Sequence, residues 1–315
     1  MDQVAHASHR GRSPHIRLVE VGPRDGLQNE KAAVPLEAKV AFVEALSETG
    51  VPEIEAGAFV SAKAVPQMAD SSQVFQRIKR RPGVIYSALV PNERGLDEAL
   101  KAKTDKIAVF TAASETFNRK NTNAGIKESL DRFKPVVSRA KSLKMPVRGY
   151  ISTAFVCPFE GAISPSKVVS LGLDLLALGV DEIAIGDTIG RAAPKDVRAL
   201  LKPLLKEIPE KRLFFHFHDT YGLAIANILT AYEEFNATGF DCSAGGLGGC
   251  PFAPGAAGNV ATEDAAFALA ASGAKVDLDF EKLKAAESAI APLLGHPFPA
   301  RLFKVAAHLR AAAGG

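Results

Sequence analysis

Short runs rich in β-branched and aromatic residues recur along the chain: IRLVEVG from Ile16, PEIEAGAF from Pro52, VIYSALV from Val84, KIAVFTA from Lys106, PVRGYIST from Pro146, DEIAIGD from Asp181, RLFFHFHD from Arg212 and GFDCSAGG from Gly239. Between them lie segments of helical spacing built from strong helix formers, such as LEAKVAFVEALSE, IKESLDRFKPVVSRAKSL, PSKVVSLGLDLLALG and PKDVRALLKPLLKEI. A chain that alternates the two periodicities throughout is committed to an α/β fold with a parallel sheet. About eight βα units fit into roughly 260 residues, and several strands are apolar at nearly every position, as burial on both faces requires. Both features predict a (β/α)8 TIM barrel, with an open doubly wound sheet as the alternative. No G-x-G-x-x-G follows the first strand, which weakens the dinucleotide-binding form of that alternative.

The chain has 315 residues, 47% of them hydrophobic, so it can bury a large core. Residues 1–14 are polar and rich in His, Arg and Ser, and are expected to form a mobile tail in which His6 and His9 are inert. Residues 15–277 are assigned to the barrel and residues 278–315 to a C-terminal helical extension packed on it. The formal charge is +3, with 38 basic and 35 acidic residues interspersed, which does not suit a nucleic-acid partner. No apolar run approaches the ~20 residues of a membrane span and no secretory signal opens the chain, so no membrane is expected and a cytoplasmic location is. The odd number of cysteines, three, argues against a disulfide framework. Cys157 and Cys242, on or beside strands, are expected to be buried small hydrophobes.

Polar residues that fit neither core nor surface stand at the C-terminal ends of the predicted strands, where barrel active sites form. Arg24 and Asp25 follow the first strand, Glu55 lies in the second, Tyr150 and Ser152 in the fifth, Asp187 ends the sixth, and His216 and His218 end the seventh. Side chains alternate along a strand, so both imidazoles of His216-Phe217-His218 point the same way, into the barrel. With acidic strand ends at Asp25, Glu55 and Asp187 facing the same mouth, the pair is expected to bind a metal. A mixed nitrogen and oxygen donor set suits Mg²⁺ or Mn²⁺ better than a thiolate-rich zinc site, and three ligands leave positions open. Non-haem iron oxygenases use a similar set, so the ligands alone leave the reaction class open. The segment GGLGGCPFAPGAAGN, from Gly245 to Asn259, reads as a mobile loop over the mouth that carries Cys250 as a catalytic thiol.

The stretch VEVGPRDGLQNEK from Val19, with GLGGCPF, HFHDTYG and GDTIG, resembles the 3-hydroxy-3-methylglutaryl-CoA lyase family, part of a metal-dependent lyase group that also contains isopropylmalate and homocitrate synthases. FVSAKAVPQM, AASETFNRKN and RGYIST before CPFEG extend the resemblance in order, from about Ile16 to Asp264. It implies that Asp25, His216, His218 and Asn259 hold the divalent cation and that Arg24 stabilises a developing enolate oxygen. It implies further that Asp187, Glu55 and Tyr150 line the acyl pocket, that Cys250 transfers a proton, and that Gln28, Lys31 and Asn121 lie near the thioester and coenzyme A. The expected reaction splits a 3-hydroxyacyl-CoA of the methylglutaryl type into acetoacetate, or the corresponding keto acid, and acetyl-CoA, with the base left open among Asp187, His216 and Asp25.

Four positions depart from that pattern: Ala58 and Ala184 stand where serines are usual, Ala64 where tryptophan is, and Val156 where glycine is. They leave the acyl group open between methylglutaryl and a longer or less polar 3-substituent. Two other readings compete, a condensing synthase of the same barrel group and a metal-binding scaffold without turnover. The first shows less resemblance around Cys250, and the second has no use for Arg24, Asp25, Asp187 and Cys250. Barrels of this group commonly pair, and a homo-oligomer, a dimer, is expected.

Overall fold

In the computed structural model, residues 14–250 and 253–305 are described, and the side chains at 250 and 253–257 lie outside that description. Eight parallel strands close into a barrel in which each strand pairs with its neighbours in chain order and the last pairs with the first. They are β1 (Arg17–Glu20), β2 (Glu53–Ala58), β3 (Ile85–Leu89), β4 (Lys106–Ala112), β5 (Val147–Ser152), β6 (Glu182–Asp187), β7 (Leu213–Phe217) and β8 (Gly239–Cys242). Each falls inside the run that predicts it. The main departure is at the last, where the chain leaves the strand after Cys242 and turns at Ala244–Gly246. The four helical segments quoted above form α1 (Leu36–Ser47), α5 (Ile126–Ser142), α6 (Pro165–Ala177) and α7 (Pro194–Glu207). Shorter helices α2 (Ser71–Arg77), α3 (Glu93–Lys101) and α4 (Glu115–Thr122) precede β3, β4 and β5, and α8 (Ala224–Phe235) and α9 (Thr262–Ala271) complete the outer ring.

Alternation sorts the strand residues between two cores. Val147, Gly149 and Ile151 of β5 face the helices: a Cβ on Gly149 would lie 3.1 Å from Leu175 of α6, and Ile151 and Ile183 both approach Gly172 of that helix. The apolar core therefore sits between strands and helices, where Ile54, Ile107, Val109, Ile183, Ile185 and Phe215 are almost fully buried. The opposite phase, facing the barrel axis, is ionic rather than aliphatic at its lower end. Lys106 of β4 pairs with Glu53 of β2 at 2.8 Å and with Glu182 of β6, whose Oε1 accepts from Arg148 Nε of β5 at 2.6 Å. Arg148 Nη1 then donates to Asp241 of β8 at 2.8 Å, with its guanidinium 4.1 Å from the centre of the Phe214 ring. Charges buried this deeply survive because each meets an opposite charge.

Beyond the barrel, α10 (Phe280–Leu294) is capped by Asp279, which accepts from the amides of Glu281 and Lys282, and it packs on α1. The chain then returns to the turn that follows β8. Phe298 lies against Gly245, whose φ of +67° and lack of a side chain admit it, and Ala300 N donates to Gly245 O at 3.2 Å. Among the described residues, no helix is long and apolar enough to cross a membrane. The expected N-terminal tail, His6 and His9 included, lies outside the described residues.

Candidate active site

At the end of β1 the chain makes one π-helical turn, Gly22–Gly26, in which the amides of Asp25 and Gly26 both reach back to Val21 O. Such widened turns recur at functional sites, and this one sets two consecutive side chains on the same mouth. Arg24 donates through Nε to Glu55 Oε2 at 2.5 Å and through Nη1 to Asp25 Oδ1 at 2.5 Å. Gln28 Nε2 adds a second donor to Asp25 Oδ1 at 2.9 Å, while Asn259 Nδ2 donates to Asp25 Oδ2 at 2.9 Å and to Leu247 O at 3.1 Å. Burial by itself would raise the Asp25 carboxyl, but Arg24 and then His216, His218 and Asn259 outweigh it and hold it at about 2. Glu55 is raised, since its desolvation exceeds what Arg24 returns.

His216, on β7, and His218, just past its end, face the same cavity as the alternation predicts. Their Nε2 atoms converge to 3.2 Å, and Asp25 Oδ2 is 3.9 Å from His216 Nε2. One ligand atom from each of the three lies within 4.8 Å of the others. Adjacent ligands of a small octahedral ion sit about 3 Å apart, so the imidazole spacing fits a shared divalent ion and the donor set matches its chemistry. Burial pushes His218 down to about 3, with His216 adding to the effect, so its ring is neutral, the form that ligates. Asn259 is brought beside His218 by an antiparallel bridge. Its amide nitrogen is committed to Asp25 and Leu247, which leaves Oδ1 as the atom with which it could hold an ion. Gly248, at φ +123°, permits this approach, because a Cβ there would lie 2.7 Å from Asn259 Nδ2.

Arg24, Asp25, His216 and His218 border a cavity of about 730 Å³. Arg24, Asp25, Gln28, Asn121, Tyr150, His216 and His218 line it, together with Ser152, and the basic side chains of Lys120 and Arg132 stand on its wall. Tyr150 lays its ring 5.6 Å from the Arg24 guanidinium.

Other expected positions fall elsewhere. Glu55 reaches the site through Arg24 and does not line the cavity, and Lys31 is exposed on the loop before α1, away from the lining. Asp187 is fully buried and does not line the cavity: its two oxygens accept the backbone amides of Arg191 and Ala192 at 3.0 Å each. Burial raises its carboxyl to about 6 despite those bonds. It shares the phase of Ile183 and Ile185, whereas the interior phase runs through Glu182, Ala184 and Gly186, and His216 still lies within its electrostatic reach. Of the four departing positions, Ala64 lines the cavity, whereas Ala58, Val156 and Ala184 do not. The segment expected to be a mobile loop contains a two-stranded hairpin, Gly249–Cys250 against Ala253–Ala257, anchored where Gly258 N donates to Gly248 O at 3.0 Å. The Cys250 side chain, the expected thiol, lies outside the described residues. Cys157 and Cys242 are buried, and Cys157 also donates to Ser114 Oγ at 2.9 Å.

Asp241, which lies against His216, Arg148, which holds Asp241, and the cavity cations Lys120 and Arg132 are not among the residues expected from sequence. Their signal was present: Glu53, Lys106, Arg148, Glu182 and Asp241 are charges inside otherwise apolar strand runs, and Glu53 and Arg148 stand two residues before Glu55 and Tyr150.

The family model described as HMGL-like matches residues 15–290. The chain belongs to the HMGL-like family. Its curated relatives include the cytoplasmic 3-hydroxy-3-methylglutaryl-CoA lyase of Rattus norvegicus, 47% identical over 90% of this chain and 82% of that protein. A Pseudomonas aeruginosa protein named 3-hydroxy-3-isohexenylglutaryl-CoA/hydroxy-methylglutaryl-CoA lyase is 46% identical over 89% of this chain and 93% of its own. Among solved structures, the Bacillus subtilis HMG-CoA lyase superposes with a TM-score of 0.91 at 43% identity, covering 94% of this chain and all (100%) of that one. An Acinetobacter HMG-CoA lyase in complex with coenzyme A and 3-methylmalate superposes at 0.88 and 39% identity, covering 92% and 95%. This HMGL-like chain shares the closed eight-stranded barrel of those enzymes.

Proposed function

We propose that this chain is a divalent-metal-dependent carbon–carbon lyase that cleaves 3-hydroxy-3-methylglutaryl-CoA, or a close 3-hydroxyacyl-CoA analogue, to acetoacetate, or the matching keto acid, and acetyl-CoA. One observation carries the reading: a carboxylate and two imidazoles converge on one point of a cavity floor with a fixed guanidinium beside them. Asp25, His216, His218 and the Asn259 amide oxygen would hold the ion, and Mg²⁺ or Mn²⁺ suits that donor set. When bound, such an ion lowers the pKa of the substrate hydroxyl it contacts and orients the acyl group.

The remaining work falls to the chain's own side chains. Removal of the tertiary hydroxyl proton lets the bond between C2 and C3 break, the carbonyl forms at C3, and the electron pair passes to the thioester enolate. Arg24, locked by Glu55 and Asp25, presents its charge to that enolate oxygen without having to reorganise. Of the three candidate proton acceptors, Asp25 and His216 border the cavity, and Asp187 does not. Cys250, whose role in proton transfer is implied by the family resemblance, would return a proton to the enolate carbon. The basic pair Lys120 and Arg132 suits the phosphates of coenzyme A.

A longer 3-substituent is the second reading, favoured by Ala64 at the cavity wall and by the isohexenylglutaryl activity in the name of one relative. A coupled acetyl-CoA assay with Mg²⁺ or Mn²⁺, run on the methyl substrate beside a longer-chain analogue with EDTA controls, separates the two. Turnover of the methyl substrate establishes the first and turnover of the analogue alone the second, while no turnover of either returns the chain to the synthase or scaffold readings.

A further inference from the structure

Beneath the cavity floor, Asp241 touches His216 from the side opposite the expected ion. Asp241 Oδ2 lies 3.4 Å from His216 Nδ1, and neither atom has a hydrogen-bonding partner elsewhere among the described residues. The other oxygen, Oδ1, accepts from Arg148 Nη1 at 2.8 Å, so the carboxylate cannot turn away. Arg148 is itself held by Glu182 through Nε at 2.6 Å and by the face of Phe214. Asp241 and Arg148 are both at least 98% buried, so water does not supply the missing partners cheaply.

We propose that Asp241, clamped by Arg148, is a positioning residue that keeps the His216 proton on Nδ1 and so leaves the Nε2 lone pair aimed at Asp25 and His218. An ionised carboxylate can only accept, so the imidazole atom facing it must carry the hydrogen. The second imidazole has no such lock: His218 Nδ1 has no partner among the described residues. The 3.2 Å contact between the two Nε2 atoms then requires His218 to be the donor in the metal-free protein. The two histidines thus differ in role, His216 a ligand oriented before the ion arrives and His218 one that must give up its proton on that nitrogen. Outer partners of this kind typically change metal affinity 10–100-fold when removed. The inference rests on the metal site proposed above.

The test uses full-length, metal-free protein labelled with ¹⁵N-histidine, with His216 assigned by comparison with His216→Gln, and long-range proton–nitrogen correlation to read which ring nitrogen is protonated. Protonated Nδ1 at His216 is expected, and protonated Nε2 overturns the proposal. In parallel, Mn²⁺ alone is titrated calorimetrically into wild type and Asp241→Asn. A dissociation constant raised about 10–100-fold is expected, and one within about twofold of wild type overturns it. Should Asp241→Asn fail to fold, Arg148→Met/Asp241→Asn removes both charges together and is read the same way. If wild type binds no Mn²⁺ yet His216 carries its proton on Nδ1, the metal site fails while the lock on the imidazole stands.

Discussion

Arg24 and Asp25, adjacent in the chain, are joined by a 2.5 Å bond from Nη1 to Oδ1 across one π-helical turn. The guanidinium proposed to face the enolate and the carboxylate proposed to hold the ion are thereby fixed relative to each other by covalent neighbourhood as well as by the bond. Replacing Arg24 by Gln is expected to lower kcat about 10²–10³-fold, the usual cost of losing a fixed donor at a developing oxyanion. It also strands Glu55, which is 1% exposed, and so destabilises the fold. Adding Glu55→Gln should restore the melting temperature without restoring turnover. Recovery of both together would make Arg24 a structural residue only.

Asp187 offers a second separation of chemistry from architecture. Both its oxygens hold backbone amides, so Asp187→Asn, which keeps one acceptor and turns a donor on the other amide, should cost roughly 1–3 kcal/mol in urea unfolding. Mn²⁺ affinity should stay within about twofold of wild type. Unchanged stability with turnover abolished would favour Asp187 among the three candidate bases.

The contrast between Asp187 and His216 shows what was readable from the chain alone. Period-two alternation placed both histidines correctly, because strand β7 is regular through Phe217 and one phase faces the axis. At the end of β6 the same alternation gives Asp187 the phase of Ile183 and Ile185, so a position at a strand end does not by itself put a side chain in the cavity. The barrel was legible because each strand run and its following helix announce themselves locally. The ionic interior was not, because Lys106, Arg148 and Asp241 look like isolated irregularities until closure of the sheet brings them together. Glycine content similarly suggests a loose loop from Gly245, whereas residues 249–257 pair as a hairpin and Gly245 is covered by Phe298, which lies far away in sequence.

A pH dependence of stability follows from the acidic cluster at the root of that hairpin. Gly245 N donates to both Glu263 of α9 and Glu287 of α10 at 3.1 Å, and Glu20 Oε1 accepts from Ala244 N at 2.9 Å. Burial raises all three carboxyls, Glu20 to about 7 from an ordinary 4.5. The folded state therefore binds more protons than the unfolded one across that interval. The stability these groups contribute is complete below pH 4.5 and is lost as pH rises through about 7 and beyond. Melting temperature should fall between pH 5 and 9, and Glu287→Gln, which keeps the acceptor for Gly245 and cannot ionise, should flatten the slope. An identical slope in the variant would remove Glu287 from this role.

Product stoichiometry decides most directly whether the strand-end metal set and Arg24 serve carbon–carbon cleavage. Metal-free protein is given 3-hydroxy-3-methylglutaryl-CoA, then Mg²⁺ or Mn²⁺, and acetyl-CoA and acetoacetate are quantified together. The expected result is equal amounts of both, absent before the ion is added and abolished again by EDTA. Acetyl-CoA without its keto-acid partner, or turnover indifferent to chelation, would contradict it.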